Sequence, residues 1–370
     1  MDRNKRNLVV LAALAIVLVI AFFAGRHFLA RSHYNAAQEA LERRDFRTAS
    51  VQLQKFLDTN PNDAPARLLA ARTARRQGDF SAATAHLKIY VQLGQNPGLE
   101  QQLLILQQGD LRETGPLLDQ CRASTDGADT SLILEAILEG ALKVLLVAAE
   151  SVSVEEGELA AELARAREAL ELWQRLRSSP VDQAQGLIWR ARLHQVVQNH
   201  AESRADLRKA LELAPEYAEA KYVLAQSLFT YAPDESVRLL QELHDRYPED
   251  RSVTFSLGST RRHLGQLEEA GRLFDELIAA SPQEYSYLLE RGYVAMNAGQ
   301  LEDAERWLRR AHALAPKEPF VNLALSGCLR RLGREAEAQV FFDAGKKESD
   351  ERILKKEELS RKYRATGKKS

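Results

Sequence analysis

Apolar and small side chains recur at helical spacing along most of this chain, and from Arg251 to Arg352 the whole pattern repeats at a fixed interval. Gly265, Gly299 and Gly333 stand 34 residues apart, as do Ala270, Ala304 and Ala338. Phe274, Leu308 and Phe342 keep the same step, and so do Pro248, Pro282 and Pro316. Each period predicts two short amphipathic helices and a turn. A unit of that size cannot bury its apolar face alone and must stack on its neighbours. The pattern therefore predicts an all-α solenoid of helix-turn-helix units.

The same step appears near the start of the array. Ala37, Ala40, Phe46, Ala49, Leu53 and Phe56 mark one helical pair, which closes at Asn60-Pro61. Ala71, Ala74, Phe80, Ala83, Leu87 and Tyr90 repeat the set 34 residues later, with Asp45-Phe46 and Asp79-Phe80 at the same turn. This pattern resembles the tetratricopeptide repeat (TPR), in which small residues of a first helix meet an Ala and an aromatic of a second, and a Pro often follows. The physical reason is packing distance: two helices reach the close end of the 8–10 Å range only where small side chains cross. Gly258, Gly292 and Ser326 supply that space on first helices, and Ala270, Ala304 and Ala338 on second helices. Replacing Gly292 with Leu is expected to overpack the crossing, at a cost of roughly 1–3 kcal/mol.

The rhythm falters from Gly98. Gly109-Asp110-Leu111 reads as a degenerate repeat turn, and Ser124–Asp129 as a loop. Two longer helices follow, Ser131–Ala149 and Glu158–Arg177, with an acidic turn at Glu150–Gly157 between them. The first is very apolar, but Glu135, Glu139 and Lys143 recur every four residues and predict a polar stripe. Burying those charges in a bilayer would cost roughly 2.5–3.5 kcal/mol each, so an amphipathic core helix is expected instead of a second span. Regular units resume at Ala184 and continue to Arg352, with Pro233-Asp234 expected to turn and cap one second helix. An extended helix, Glu348–Tyr363, is expected to close the stack with a polar face. The organisation expected is a basic tail over 1–7, an anchor over 8–25 and a repeat subarray over 30–128. An irregular helix pair over 130–180 joins it to a second subarray over 184–352. A capping helix and basic tail follow over 348–370.

Leu8–Ala24 is a run of 17 residues without charge, about 26 Å of helix at ~1.5 Å per residue, at the short end for crossing a bilayer. Arg26 and His27 can snorkel to extend it. Phe22, Phe23, Ala24, Gly25 and Arg26 make a poor signal-peptidase site, so an uncleaved single-pass transmembrane anchor is expected. Arg3, Lys5 and Arg6 stand before the run and favour a cytoplasmic N-terminus. That orientation puts the array on the extracytoplasmic side, which is the periplasm in a two-membrane bacterium.

Composition narrows the chemistry. With 51 Lys+Arg against 52 Asp+Glu, the formal net charge of −1 gives no global reason for nucleic-acid binding, and none is expected. Cys121 and Cys328 form no CxxC or Cys/His cluster and read as small buried thiols. There is no HExxH, Walker loop, GxGxxG or GxSxG, and the eight histidines are scattered. No catalytic residue, cofactor or metal is expected, and the chain is not expected to be an enzyme. The cationic end, Arg361, Lys362, Arg364, Lys368 and Lys369, reads as a solvated tail.

The resemblance implies that first helices line a concave groove that binds a protein or peptide. Carried onto this chain, the groove positions are Tyr222, Gln226 and Phe229 in one unit, and Phe255, Ser259 and Arg262 in the next. Leu289, Tyr293 and Met296 follow, then Leu323 and Arg330. Aromatics beside arginines suit a partner with apolar anchors and an acidic group. Some of these aromatics could instead pack between units. The function expected is a membrane-anchored scaffold. One alternative is an anchored array facing the cytoplasm, similar to the lipopolysaccharide assembly regulator family. That family ends in a cysteine-rich module, whereas no cysteine follows Cys328 here. A second alternative is an accessory subunit of an unrecognised enzyme.

Overall fold

The computed structural model describes residues 25–123, 127–149 and 157–366, and every regular element among them is helical. Helix α1 covers residues 25–42. It is followed by α2 (Phe46–Thr59), α3 (Ala64–Arg76), α4 (Phe80–Gln92), α5 (Gly98–Gln107), α6 (Thr114–Ala123), α7 (Ala128–Ala149) and α8 (Gly157–Leu176). Then come α9 (Pro180–Val196), α10 (His200–Leu213), α11 (Ala218–Leu228), α12 (Pro233–Arg246) and α13 (Arg251–His263). The chain ends in α14 (Leu267–Ala280), α15 (Tyr285–Asn297), α16 (Leu301–Leu314), α17 (Pro319–Arg331) and α18 (Glu335–Thr366). Two compact units divide them: Met1–Val144 with Arg165–Leu176, and Leu145–Ala164 with Arg177–Ser370. The anchor expected over Leu8–Ala24 and most of the acidic turn at 150–157 lie outside the described residues. Among those described, no helix is long and apolar enough to cross a membrane.

Local chemistry sets the helix ends. Asp45, Asp63 and Asp79 each accept a hydrogen bond from a backbone N–H of the first turn, at 3.1, 2.9 and 2.9 Å, and so cap α2, α3 and α4. The turn between the helices of a pair needs a left-handed residue, which Gly265, Gly299 and Gly333 supply with φ of 76° at each. Gln198 occupies the corresponding turn after α9 with φ of 61°, a conformation that costs a residue with a Cβ. Pro233 starts α12 at its first turn, but the cap residue is Ala232 and Asp234 lies inside the helix. Asp234 therefore favours the helix dipole rather than capping the end.

In the C-terminal unit the 34-residue set forms the core. Ala270, Ala304, Ala338, Phe274 and Leu308 are fully buried. A Cβ placed on Gly292 would stand 2.6 Å from Leu308 Cδ2, and one on Gly258 would stand 2.9 Å from the Phe274 ring. Gly292→Leu is therefore expected to lower the unfolding free energy by roughly 1–3 kcal/mol in urea titration. The junctions between units also show a substitution rule. His244 Nδ1 lies 3.1 Å from Thr254 Oγ1, and His312 Nδ1 lies 2.9 Å from Asn322 Oδ1. The 34-residue equivalents between them are Ile278 and Leu288, both buried in one apolar cluster. The two positions change character together, because a buried polar group needs its partner.

The N-terminal unit departs from the expectations in three places. Helix α1 is already formed at residue 25, ahead of Tyr34 where the first repeat helix was expected. Its Tyr34 ring lies 5.0 Å from Phe56 of α2. Helix α5 is short, at 10 residues, and a 3-10 turn at Leu111–Glu113 replaces the regular turn of that repeat. Glu135 of α7 is not on a solvent-facing stripe. It is buried at 2% exposure and receives Arg44 at 3.0 Å and two hydrogen bonds from Arg76 at 2.6 Å. Lys143 keeps the expected exposure, with its Nζ over the Phe80 ring at 4.8 Å and donating to Gln108 O at 3.2 Å. A second buried carboxylate, Glu100, accepts from Arg75 and Arg72, and Arg75 donates to Gln107 at 2.9 Å.

At the other end, the helix expected to begin at Glu348 is continuous with the second helix of the last pair. It runs as the single 32-residue α18.

Candidate functional site

The groove positions read from the sequence fall on four first helices of the C-terminal unit. Tyr222 and Gln226 lie on α11 with Phe229 at its end, and Phe255, Ser259 and Arg262 lie on α13. Leu289, Tyr293 and Met296 lie on α15, with Leu323 and Arg330 on α17. Because each helix repeats its predecessor 34 residues on, side chains one period apart become neighbours across units. Tyr222 Oη lies 3.2 Å from Ser256 Oγ, and the Phe229 ring is 4.9 Å from His263. Phe255 meets Phe274 of its own unit edge-on at 5.8 Å and Tyr287 of the next unit at the same distance. These aromatics therefore hold one unit to the next, and only part of each remains for a partner.

The two arginines are also engaged. Arg262 Nε donates to Glu290 at 2.9 Å, and its guanidinium stands 5.3 Å from the Tyr293 ring centre. Burial raises the Tyr293 hydroxyl above its ordinary pKa, with Glu290 adding to the shift and Arg262 opposing it. Arg330 is exposed and donates to Glu335 at 3.2 Å beside the Phe342 ring at 5.6 Å. A carboxylate arriving at Arg262 must displace Glu290 or share the guanidinium with it. Leu289, at 9% exposure, sits in the apolar core and offers a partner little surface. Met296 packs on the same cluster, and Leu323 stands where a Cβ on Gly345 would approach to 3.0 Å. Gln226 is exposed, and the buried Ser259 Oγ has no hydrogen-bond partner among the described residues.

The sequence reading did not anticipate Glu290, Ser256 or His263, which complete these contacts. The signal for them was the period itself, since each lies one period from, or one turn before, a residue already singled out.

Away from these positions, one cluster of charged groups is paired within itself. An open depression of about 480 Å³ is lined by Glu216, Lys221, Glu242, Leu243, Asp245 and Arg246. Lys221 pairs with Glu242 at 2.9 Å and Arg246 with Glu216 at 3.1 Å across it. Among the described residues no group of three or more His, Cys, Asp or Glu is placed to hold a metal ion. Cys121 and Cys328 are free and buried, and burial pushes the Cys121 thiol up to about 11. A thiol held protonated in this way is a packing group at neutral pH.

Comparison with known proteins gives a family for part of the chain. The tetratricopeptide repeat profile matches residues 34–98, 233–285 and 264–319. Solved structures to which the chain is similar include "MamA 41-end from Desulfovibrio magneticus RS-1", 16% identical, covering 46% of this chain and 97% of that one with a TM-score of 0.42. "MamA MSR-1" is 20% identical over 45% of this chain and 97% of its own, with a TM-score of 0.38. YrrB, described as "a TPR protein with an unusual peptide-binding site", is 17% identical over 46% of this chain and 89% of its own, with a TM-score of 0.37. No curated protein matches the chain.

Proposed function

Since this chain carries tetratricopeptide repeats in residues 34–98 and 233–319, we propose that it is a protein-binding scaffold held at a membrane by Leu8–Ala24. Its array lies on the extracytoplasmic side, and it works by binding rather than by catalysis. The observation that carries the binding site is the half-buried row on α11, α13 and α15. There Tyr222, Phe255, Arg262 and Tyr293 are fixed by neighbouring units yet keep part of their surface free. Side chains held this way lose little entropy when a partner docks. Confinement to the membrane raises the effective concentration of whatever the array binds. The uncharged run at Leu8–Ala24, with Arg3, Lys5 and Arg6 before it, supports the anchor and its orientation.

Affinity capture from detergent-solubilised membranes tests the site, comparing the native chain with an Arg262→Ala, Tyr293→Ala double variant. The expected result is a specific partner retained by the native chain and lost at least tenfold by the variant, which corresponds to about 1.4 kcal/mol or more of binding. An unchanged set of captured proteins, with circular dichroism unchanged, would remove the groove from consideration. A reporter fused at Ser370 tests the orientation: activity confined to the cytoplasm would reverse it.

A further inference from the structure

The first turns of α1 carry side chains that the array leaves uncovered. Residues 25–29 are all exposed, with Phe28 at 77% and Leu29 at 58%, the most exposed large apolar pair among the described residues of the N-terminal unit. The next residue, Ala30, is only 2% exposed and belongs to the cluster of Leu53, Phe56, Leu57, Ala66 and Ala70. The helix is therefore gripped by α2 and α3 one residue after the exposed pair. Further along, His33 Nδ1 lies 2.7 Å from Gln52 Oε1, and Arg31 stands over the Tyr34 ring at 5.8 Å.

What covers Phe28 and Leu29 follows from the chain on their N-terminal side. The uncharged run ends at Ala24, six residues before Ala30. Six helical residues span ~9 Å, little more than the roughly 5–8 Å headgroup layer on each face of a bilayer. Arg26, His27 and Arg31 flank the two apolar side chains, and no Asp or Glu occurs between Leu8 and Gln38. Apolar side chains that reach the acyl boundary, set among arginines that reach phosphates, match the interface of a phospholipid bilayer.

We propose that residues 25–29 are a lipid-contact segment and that the array has no free stalk. Phe28 and Leu29 sit at the acyl boundary, Arg26 and Arg31 contact lipid phosphates, and the first repeat pair rests against the bilayer surface. A partner of the N-terminal unit must then be reached at the membrane itself. This inference rests on the anchor proposed above and adds to it a fixed height of the first repeats over the lipid.

The test uses the full chain reconstituted in phosphatidylethanolamine–phosphatidylglycerol vesicles. Spin labels are placed at Phe28→Cys, Leu29→Cys and, as a control further along α1, Gln38→Cys. Collision with oxygen and with a water-soluble nickel complex distinguishes lipid, water and protein contact. The expected result is an oxygen-to-nickel ratio several-fold higher at 28 and 29 than at 38. Inserting eight Gly/Ser residues between Ala24 and Gly25 is expected to abolish the difference. High nickel accessibility at 28 and 29, in vesicles that retain the chain through an alkaline wash, overturns the lipid contact and leaves the anchor standing. Low accessibility to both probes overturns it in favour of a protein cover, such as a second copy. Release of the chain by the alkaline wash overturns the anchor, and this inference with it.

Discussion

Replacing Glu135 with Ala is expected to destabilise the N-terminal unit by about 3–5 kcal/mol, because it leaves the guanidinium groups of Arg44 and Arg76 without the carboxylate they share. Arg44 is itself 9% exposed, is held in the left-handed region at φ of 55°, and faces the Trp173 ring at 5.6 Å. Its side chain is almost wholly withdrawn from solvent. Unfolding in urea, followed by Trp173 emission after Trp189→Phe and Trp307→Phe, measures the loss. Exchanging all three charged groups together for apolar residues of similar volume is expected to cost far less than removing the carboxylate alone. A cost below about 1 kcal/mol for Glu135→Ala would mean that the cluster is open to water.

The same cluster makes stability depend on acid. Burial by itself raises the Glu135 pKa, but Arg44 and Arg76 outweigh it and hold the carboxyl down at about 2, against an ordinary value of 4.5. The folded pKa is the lower one, so this stabilisation is complete above about 4.5 and is lost as the pH falls through about 2. Between those values the native chain is expected to lose more stability than Glu135→Gln.

Gly140→Ala is expected to cost about 3 kcal/mol, the upper end for overpacking. A Cβ at this position would stand 2.6 Å from the backbone oxygen of Leu106 and 3.2 Å from its carbonyl carbon. Backbone cannot rotate away, so α7 and α5 must separate, and the roughly 1 kcal/mol gain in helix propensity does not offset that. Gly292 provides the contrast, since the obstacle there is the Leu308 side chain, which can change rotamer. A Gly140→Ala chain as stable as the native one in urea would show that this helix contact is looser than described.

These two sites mark where the sequence stops being legible. The helix pairs could be read because Ala270, Ala304 and Ala338 answer to one steric demand repeated every 34 residues, and all three are fully buried. Glu135 could not be read correctly. Its i, i+4 spacing with Glu139 and Lys143 signals a common face but not what lies against that face. The partners, Arg44 and Arg76, come from distant helices whose approach no local pattern encodes. Gly140 was missed for the same reason, since it meets α5 outside the 34-residue rhythm.

The candidate groove was legible as a set of positions but not as a surface. First-helix placement could be carried over from the repeat pattern. Whether a side chain faces a partner or the next unit depends on stacking geometry. Tyr222 and Phe229 each contact the residue one period ahead, and Leu289 turns into the core. Arg262 illustrates the remaining gap: its charge was visible in the sequence, but its pairing with Glu290 was not.

A photo-cross-linking amino acid placed at two exposed positions of the C-terminal unit tests partner binding by the first-helix face most directly. Gln226 lies on first helix α11, and Arg306, whose side chain is 77% exposed, lies on second helix α16. In intact membranes the expected result is a discrete cross-linked protein from 226, absent from 306 and lost with Arg262→Ala, Tyr293→Ala. Equal cross-linking from both positions, or a product at 306 alone, would contradict a first-helix groove as the binding surface.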